Sequence, residues 1–594
     1  MMLKKTLIIY GSLGAPDLVH HVGDWSRAVV LEMDAPIPPE MIDRGASVIP
    51  SAPLVDHHRG MDIERRVHAI FNELLAERVG RAGLETGREF RAACLNIETY
   101  MRLSPYLYNL DIARRLAAEG PWEKIVVSPG SGVSLPAWRQ LADFCAAPLV
   151  VLSDKAVKLP FWWMLKRRLE KKIAWFRRKS ATKPKSLPVA DEHSLWLCGD
   201  SKLAGLLAED GNHWAAVPAW KPADEKTLHA LRAGYQAWWE DWWNDWLADH
   251  PSEDKLSPGW IINQLGRHLC QNVYPLHAIF LRQAREVFKS WSPRLLVIST
   301  MLGRPEIMWQ VAARERGIPT AAYTLDDPVN PEFAFRSDFV FCDDARQHEL
   351  ALKRGIAPGR ILAIRSHRAL VPTEKHQRLK PGQRARIILA DTFFSGWNMG
   401  HLPSLSFWVY QLVVETARLM PEHDFVIKFH PIRERPTEEL SWGGFHYQHH
   451  WLRLQQIQAL QPPANLSLAA PESLMPRMLN EAHVLLNIGS YAGCEACALN
   501  VPVIQLTPLE PNPDVQTIFI PREIAQIVDS QDPARLAVLI RQNLYDESHV
   551  TCQTRLQQEF IKSFYCGRNI GLGEAARLVI DRLGKQGVGD AVDP

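Results

Sequence analysis

At six places along the chain a short apolar run stops at small or polar residues and a longer helical pattern follows. The runs are Leu7-Ile8-Ile9-Tyr10 before Gly11-Ser12-Leu13-Gly14, Ile125-Val126-Val127 before Ser128-Pro129-Gly130-Ser131-Gly132, and Leu149-Val150-Val151-Leu152 after Pro148. Further on come Leu295-Leu296-Val297-Ile298 before Ser299-Thr300, Ile387-Ile388-Leu389-Ala390 before Asp391-Thr392, and Val484-Leu485-Leu486-Asn487-Ile488 before Gly489-Ser490. Strands that are apolar on both faces belong in parallel sheets covered by helices on either side. The expected class is therefore α/β, with ligands gathered beyond the carboxyl ends of the strands.

A chain of 594 residues exceeds what one core can organise, which stops growing near roughly 250–300 residues, so several domains are expected. The polar stretch Thr373 to Lys380, followed by Pro381-Gly382, reads as an interdomain linker. This gives a first Rossmann-like domain over residues 1–370, a linker over 371–382 and a second Rossmann-like domain over 383–594. An insertion is expected at about 155–290. A net charge of +2 gives no global basic field, so nucleic acid is not an expected partner. No run approaches the ~18 apolar residues of a membrane helix. Met1 to Tyr10 reads as one strand rather than a leader. The nine cysteines show no framework spacing, and the expected location is the cytoplasm.

The insertion has two unusual parts. Between Lys155 and Lys185 stand twelve Lys and Arg residues against a single acid, Glu170. Trp162, Leu165, Leu169, Ile173 and Phe176 recur at helical spacing through them. A basic amphipathic helix with Trp and Phe can lie on an anionic membrane, here the inner face of the cytoplasmic membrane. A solvated helix covering the sheet, or a groove for an acidic substrate, reads the same residues differently. In the second part, Tyr235, Trp239, Trp242 and Trp246 share one helical face, beside Trp238 and Trp243. Core packing is the first reading of such a stripe, and sugar stacking the second.

The chemistry-bearing pattern lies in the last third. The strand Phe425-Val426-Ile427 runs into Lys428-Phe429-His430-Pro431. About sixty residues on, the strand ending at Ile488 meets Gly489-Ser490-Tyr491-Ala492-Gly493-Cys494-Glu495, the start of a helix, and Pro502-Val503-Ile504 begins the next strand. A small-residue turn entering a helix offers N–H groups and the positive dipole end to a phosphate. Ser490 can add its hydroxyl, and His430 can donate to a second oxygen. Glu495 is repelled by phosphate and suits ribose hydroxyls or a base amino group. Asp391, Thr392 and the nearby Ser395-Gly396 follow a neighbouring strand and would line the same cleft, or form an ordinary turn.

Lys428-x-His430-Pro431 with Ser490-x-x-Gly493-x-Glu495-Ala496 and Pro502-Val503 resembles the bacterial surface-polysaccharide glycosyltransferases of GT-B architecture. These include capsule Kdo transferases and His-Pro-containing sialyl- and polysialyltransferases, and teichoic-acid polyol-phosphate polymerases share part of the pattern. The likeness extends upstream through Gly303-Arg304-Pro305-Glu306 and Gly317-Ile318-Pro319-Thr320 and covers roughly residues 290–580. It implies two Rossmann-like domains facing a cleft. It implies transfer of Kdo or another nonulosonate from a CMP-activated donor to a surface polysaccharide or a lipid-linked glycan. The alternatives are a CDP-polyol phosphate transferase and a non-catalytic scaffold of a polysaccharide assembly complex. The family's catalytic acids, an acidic pair followed by glycine, correspond to Asp326-Asp327, here followed by Pro328. Neighbouring strand residues point to opposite faces, so one acid serves the site, with Asp327 preferred and Asp326 second. The implied role is general base in an inverting transfer, or nucleophile in a retaining one.

Nothing in the pattern calls for a metal or a cofactor, the nucleotide-sugar being a substrate. Cys494-x-x-Cys497 stands without a second pair and reads as buried small residues. His57-His58 and His446 with His449-His450 read as loop histidines. Gly11–Gly14 lacks the Lys-Ser/Thr ending of a phosphate loop, and Gly130-Ser131-Gly132 reads as a strand-to-helix turn. Arg304, Arg365 and Arg368 are candidates to meet an acidic sugar, though each reads first as a surface or structural arginine.

Overall fold

The computed structural model describes residues 5–10, 18–33, 39–50, 66–76, 81–128, 135–152, 195–198, 214–250, 259–298, 307–323, 337–366, 382–391, 405–429, 450–506, 524–565 and 570–586, apart from isolated positions within these spans such as Gly489. The protein is α/β, and each described strand pairing is parallel. The strands form three sheets. Sheet 1 contains β1 (Lys5–Tyr10), β2 (Ala28–Glu32), β3 (Ser47–Pro50), β4 (Trp122–Val127) and β5 (Leu149–Val151), in the order β3-β2-β1-β4-β5. Sheet 2 contains β6 (Leu195–Cys198), β7 (Trp214–Ala216), β8 (Leu295–Ile298), β9 (Thr320–Tyr323), β10 (Phe339–Cys342) and β11 (Ile361–Ala363), in the order β11-β10-β9-β8-β6-β7. Sheet 3 contains β12 (Arg386–Ala390), β13 (Asp424–Lys428), β14 (Leu466–Leu468), β15 (Val484–Asn487), β16 (Val503–Leu506) and β17 (Gln526–Val528), in the order β14-β13-β12-β15-β16-β17.

Sheets 1 and 3 both follow the 3-2-1-4-5 strand order of a Rossmann sheet, and sheet 2 is a further six-stranded parallel unit of Rossmann-like kind. The order of sheet 3 is that of a dinucleotide-binding Rossmann sheet, and its direction of winding reverses between β12 and β15. Sheet 1 is a departure from the layout read off the sequence. Residues 5–363 carry two sheets rather than one interrupted sheet, and the segment read as an insertion supplies β6 and β7. The apolar runs of both sheets look alike in sequence, and nothing in a run of four residues says which neighbour it will pair with. The carboxyl-terminal boundary also differs. Helix Leu572–Gln586 packs Leu572, Ala575, Ala576 and Val579 against Leu295, Val297, Tyr323 and Phe341 of sheet 2. The Arg365 N–H bonds the Ile570 carbonyl (2.8 Å), which fixes the crossing point.

The period-2 alternation of sheet 3 explains its two covers. Ile387, Leu389, Ile427, Leu486 and Ile504 face one way, with Val413 and Ala417 of helix Leu405–Leu419 and Leu536 and Ile540 of helix Pro533–Tyr545. Ile388, Val426, Leu485 and Val503 face the other way, with Cys494 and Cys497 and with Ile561 of helix Glu547–Phe564.

The tryptophan stripe is core. In helix Glu225–Asp249, Tyr235, Trp238, Trp239, Trp242 and Trp246 are buried. Trp239 Nε1 donates to Asn263 Oδ1 (3.1 Å), Trp246 Nε1 donates to Glu73 Oε2 (3.2 Å), and the Tyr235 hydroxyl donates to the Glu85 carbonyl (3.1 Å). These rings join the helical layer of sheet 1 to that of sheet 2. Arg285 reinforces the junction by pairing with both Glu85 and Glu315, and Arg314 pairs with Glu89. The basic stretch Lys155–Lys185, with its expected helix, lies outside the described residues. Among the described residues no helix is long and apolar enough to cross a membrane.

Two tests follow from this packing. A Cβ placed at Gly266 would stand 2.0 Å from the Trp239 ring. Gly266→Ala should therefore cost about 1–3 kcal/mol in urea denaturation. Gly23→Ala, which meets nothing within 4 Å, should stay within about 0.5 kcal/mol. At the amino-terminal edge of sheet 3, His423 Nδ1 accepts from the Ala385 N–H (3.3 Å) and His483 Nδ1 accepts from the Arg386 N–H (3.1 Å). Burial lowers both histidines below their usual value of 6.5. A depressed histidine binds its proton more readily in the unfolded chain. The stability it contributes is thus present above about pH 6.5 and is lost as pH falls through the lowered folded value. The urea midpoint should fall less between about pH 7 and pH 5 in the His423→Asn, His483→Asn double variant than in the parent. Equal falls would contradict the assignment.

Candidate functional site

The edge of sheet 3 at the β12/β15 reversal is where the sequence pattern converges. β12 ends at Ala390, and Asp391 follows, 3% exposed. Its N–H bonds the Lys428 carbonyl (3.0 Å), and the Tyr410 hydroxyl donates to its Oδ2 (3.1 Å). Lys428 ends β13 opposite Ala390, is 5% exposed, and donates from Nζ to the Phe429 carbonyl (3.0 Å). A buried lysine nitrogen is costly away from water unless it is bonded, and here it donates to a backbone carbonyl.

Asn487 ends β15, fully buried, and organises the turn. Its Nδ2 donates to Gln505 Oε1 on β16 (3.0 Å), and its Oδ1 accepts from the Ser490 N–H (3.2 Å). Ser490 Oγ accepts from the Ala492 N–H (3.3 Å), and the Ser490 carbonyl accepts from the Gly493 N–H (3.0 Å). Helix Ala492–Ala498 then closes at Asn500, which adopts φ 60. The Val501 N–H bonds back to the Ala496 carbonyl (2.9 Å), as helix ends with a left-handed residue do.

The N–H groups of Ser490 and Ala492 are bonded within the turn, so they are not free for a phosphate. A hydroxyl that accepts one bond still has a hydrogen to donate, so Ser490 Oγ keeps donor capacity. In the first helical turn Gly493 is buried and Glu495 is half-buried. Burial pushes the Cys494 and Cys497 thiols up, so neither is a thiolate at neutral pH. Among the described residues no group of three His, Cys, Asp or Glu could hold a metal ion. Asp326, Asp327, Thr392, His430, Pro431 and Gly489 lie outside the described residues, as do Arg304 and Arg368. The Arg365 side chain is exposed.

The structure adds a second acidic pair, Asp343-Asp344, directly after β10. Both are buried. Asp343 Oδ2 accepts from the Tyr323 hydroxyl (3.1 Å) and from Ser366 Oγ (2.9 Å). Asp344 Oδ1 accepts from the Gln347 N–H (2.7 Å), capping helix Ala345–Lys353, and its Oδ2 accepts from the Tyr491 hydroxyl (2.5 Å). A strand followed by two acids is the same signal that marks Asp326-Asp327, and it was legible. The bond to Tyr491, about 150 residues away, was not.

No protein-family model matches the chain, and no curated protein matches it. Solved structures of similar chain course include the UDP-GlcNAc 2-epimerase of Neisseria meningitidis bound to UDP-GlcNAc, at 13% identity over 66% of this chain and 100% of that one, TM-score 0.36. Another is a putative UDP-N-acetylglucosamine 2-epimerase of Listeria monocytogenes, at 11% identity over 68% and 99%, TM-score 0.37. A third is Anabaena HepE in complex with UDP and glucose, at 12% identity over 66% and 100%, TM-score 0.34.

Asn487→Ala should remove both of its bonds and strand buried partners, at a cost of about 1–3 kcal/mol in urea denaturation. A change under about 0.5 kcal/mol would show that the turn is held by other groups.

Proposed function

We propose that the protein is a glycosyltransferase that holds a nucleotide-sugar at the β12/β15 edge of sheet 3. The observation that carries this is the Rossmann order of sheet 3. It brings Asp391, Lys428 and the Ser490 turn to one reversal point. In the finer reading, supported by the resemblance, the donor is CMP-activated Kdo or another nonulosonate, and the acceptor is a surface polysaccharide or lipid-linked glycan. Ser490 and His430 would donate to the donor phosphate, with Lys428 adding charge beside them, and Glu495 would accept from the nucleoside. Asp327, or Asp326 in its place, would take the proton of the acceptor hydroxyl. The acceptor oxygen then bonds to the anomeric carbon as the bond to the phosphate oxygen breaks, and the nucleotide leaves with that electron pair. A retaining course would use the same carboxylate as nucleophile, with a covalent glycosyl-enzyme between two displacements. No cofactor enters either course.

A thermal-shift series with CMP, CDP, UDP and GDP discriminates the readings. A ligand at about 100 times its Kd stabilises by about 2.7 kcal/mol, a shift of a few degrees for a chain of this size. Stabilisation by CMP is expected. CDP alone would favour polyol-phosphate transfer, UDP or GDP alone would refute the cytidine donor, and no shift would favour the scaffold reading. In a transfer assay, Asp327→Ala and His430→Ala should each lower turnover by about a hundredfold or more; unchanged transfer would overturn those roles. We also propose that Lys155–Lys185 attaches the protein to an anionic membrane surface. Deleting it should release the protein from anionic liposomes, and unchanged pelleting would contradict this.

A further inference from the structure

One phenol joins the nucleotide turn to the Rossmann-like unit of sheet 2. Tyr491 directly follows Ser490, and its carbonyl accepts from the Glu495 N–H (3.0 Å), so its backbone is part of the turn and of the helix start. Its hydroxyl reaches Asp344 Oδ2 beyond β10 of sheet 2, at 2.5 Å. Arg346 completes the contact. Its Nη2 donates to the same phenol oxygen (3.3 Å), its guanidinium stands 5.8 Å from the ring centroid, and it lies 4.0 Å from the Asp344 carboxylate. Asp344 is fully buried, and a buried carboxylate is tolerated only with partners of this kind.

The two ends of this contact are anchored differently. Asp344 is rigid, because its other oxygen caps helix Ala345–Lys353 through the Gln347 N–H. The helix that carries Tyr491 is only seven residues long and depends on Asn487 and Ser490 for its start. Force therefore passes from the fixed carboxylate to the turn. Tyr565 stands at the same junction, where its pKa is raised chiefly by burial and further by the carboxylates of Glu495, Asp343 and Asp344. Among the described residues its buried hydroxyl has no hydrogen-bond partner.

We propose that Tyr491 is a positioning residue for nucleotide binding: its bond to Asp344 holds the Ser490 turn in binding geometry, so that sheet 2 completes a site otherwise built on sheet 3. This rests on the reading of the Ser490 turn as the nucleotide site. Tyr491 touches no phosphate in this account. It acts by fixing where the Ser490 hydroxyl points. The consequence is that donor affinity depends on a residue following β10 of sheet 2, 147 positions away in sequence.

The test uses the full chain with Tyr491→Phe, which removes one oxygen and keeps the ring. Hydrogen–deuterium exchange without nucleotide is read on helices 345–353 and 492–498, and CMP and UDP affinities are read by calorimetry. Tyr491→Phe should speed exchange in both helices and weaken whichever nucleotide binds by about tenfold, the scale of one lost bond to a charged group. Arg346→Lys keeps the phenol–carboxylate bond and should remain within about threefold of the parent affinity. If the parent binds nucleotide and Tyr491→Phe binds it equally well, the proposal falls. Unchanged exchange in both helices also overturns it, as does a tenfold loss in Arg346→Lys with none in Tyr491→Phe. If the parent binds neither nucleotide, the nucleotide reading of the turn falls first, and that outcome is told apart by the parent alone.

Discussion

Burial of both faces of the parallel strands is the constraint on which the rest depends. In β12 and β15, Ile387, Ile388, Leu389 and Leu485 are at most 1% exposed, so neither face of sheet 3 has room for a ligand or a charge. Polar function is pushed to the carboxyl edge, where strands stop and backbone direction changes. Asp391, Lys428 and Asn487 are the first residues past, or the last residues of, three adjacent strands. Each is buried, and each is bonded within the edge itself. The resulting surface is preorganised rather than assembled from long flexible side chains.

The same logic places the units. Sheet 2 ends its β10 strand in a carboxylate pair, and sheet 3 ends its β15 strand in a turn whose tyrosine meets that pair. Helix Leu572–Gln586 returns to sheet 2, so the two units meet there and again at Tyr491. Sheet 1 is joined to sheet 2 through the tryptophan helix and the Arg285 and Arg314 ion pairs. In that helix Tyr235, Trp238, Trp239, Trp242 and Trp246 are buried. Trp239 and Trp242 stack at 4.5 Å, and Trp243 and Trp246 at 4.9 Å.

The α/β class was legible because buried parallel strands leave unbroken apolar runs. Leu7–Tyr10, Leu295–Ile298 and Ile387–Ala390 each became a strand or most of one. Pairing was not legible. Leu195–Cys198 and Trp214–Ala216 are too short to announce a sheet, and their place beside β8 is decided by tertiary packing. At the site, the small-residue turn and helix start after β15 were readable from Ser490 to Glu495. The bonding inside that turn was not, because an asparagine ending a strand does not show in sequence that its side chain will cap the next turn. Asn487 Oδ1 takes the Ser490 N–H, one of the groups at the start of that turn. The link between Tyr491 and Asp344 joins residues whose separation no local pattern spans.

The central claim is that the edge between β12 and β15 holds the phosphate of a nucleotide. A crystal structure of the full chain with saturating CMP, and in parallel with UDP, tests it most directly. The expected result is a nucleotide whose phosphate lies over the ends of β12 and β15 within hydrogen-bond distance of Ser490 Oγ. A nucleotide seated instead at the edge of sheet 1 or sheet 2, or its phosphate placed away from the Ser490 turn, would contradict it.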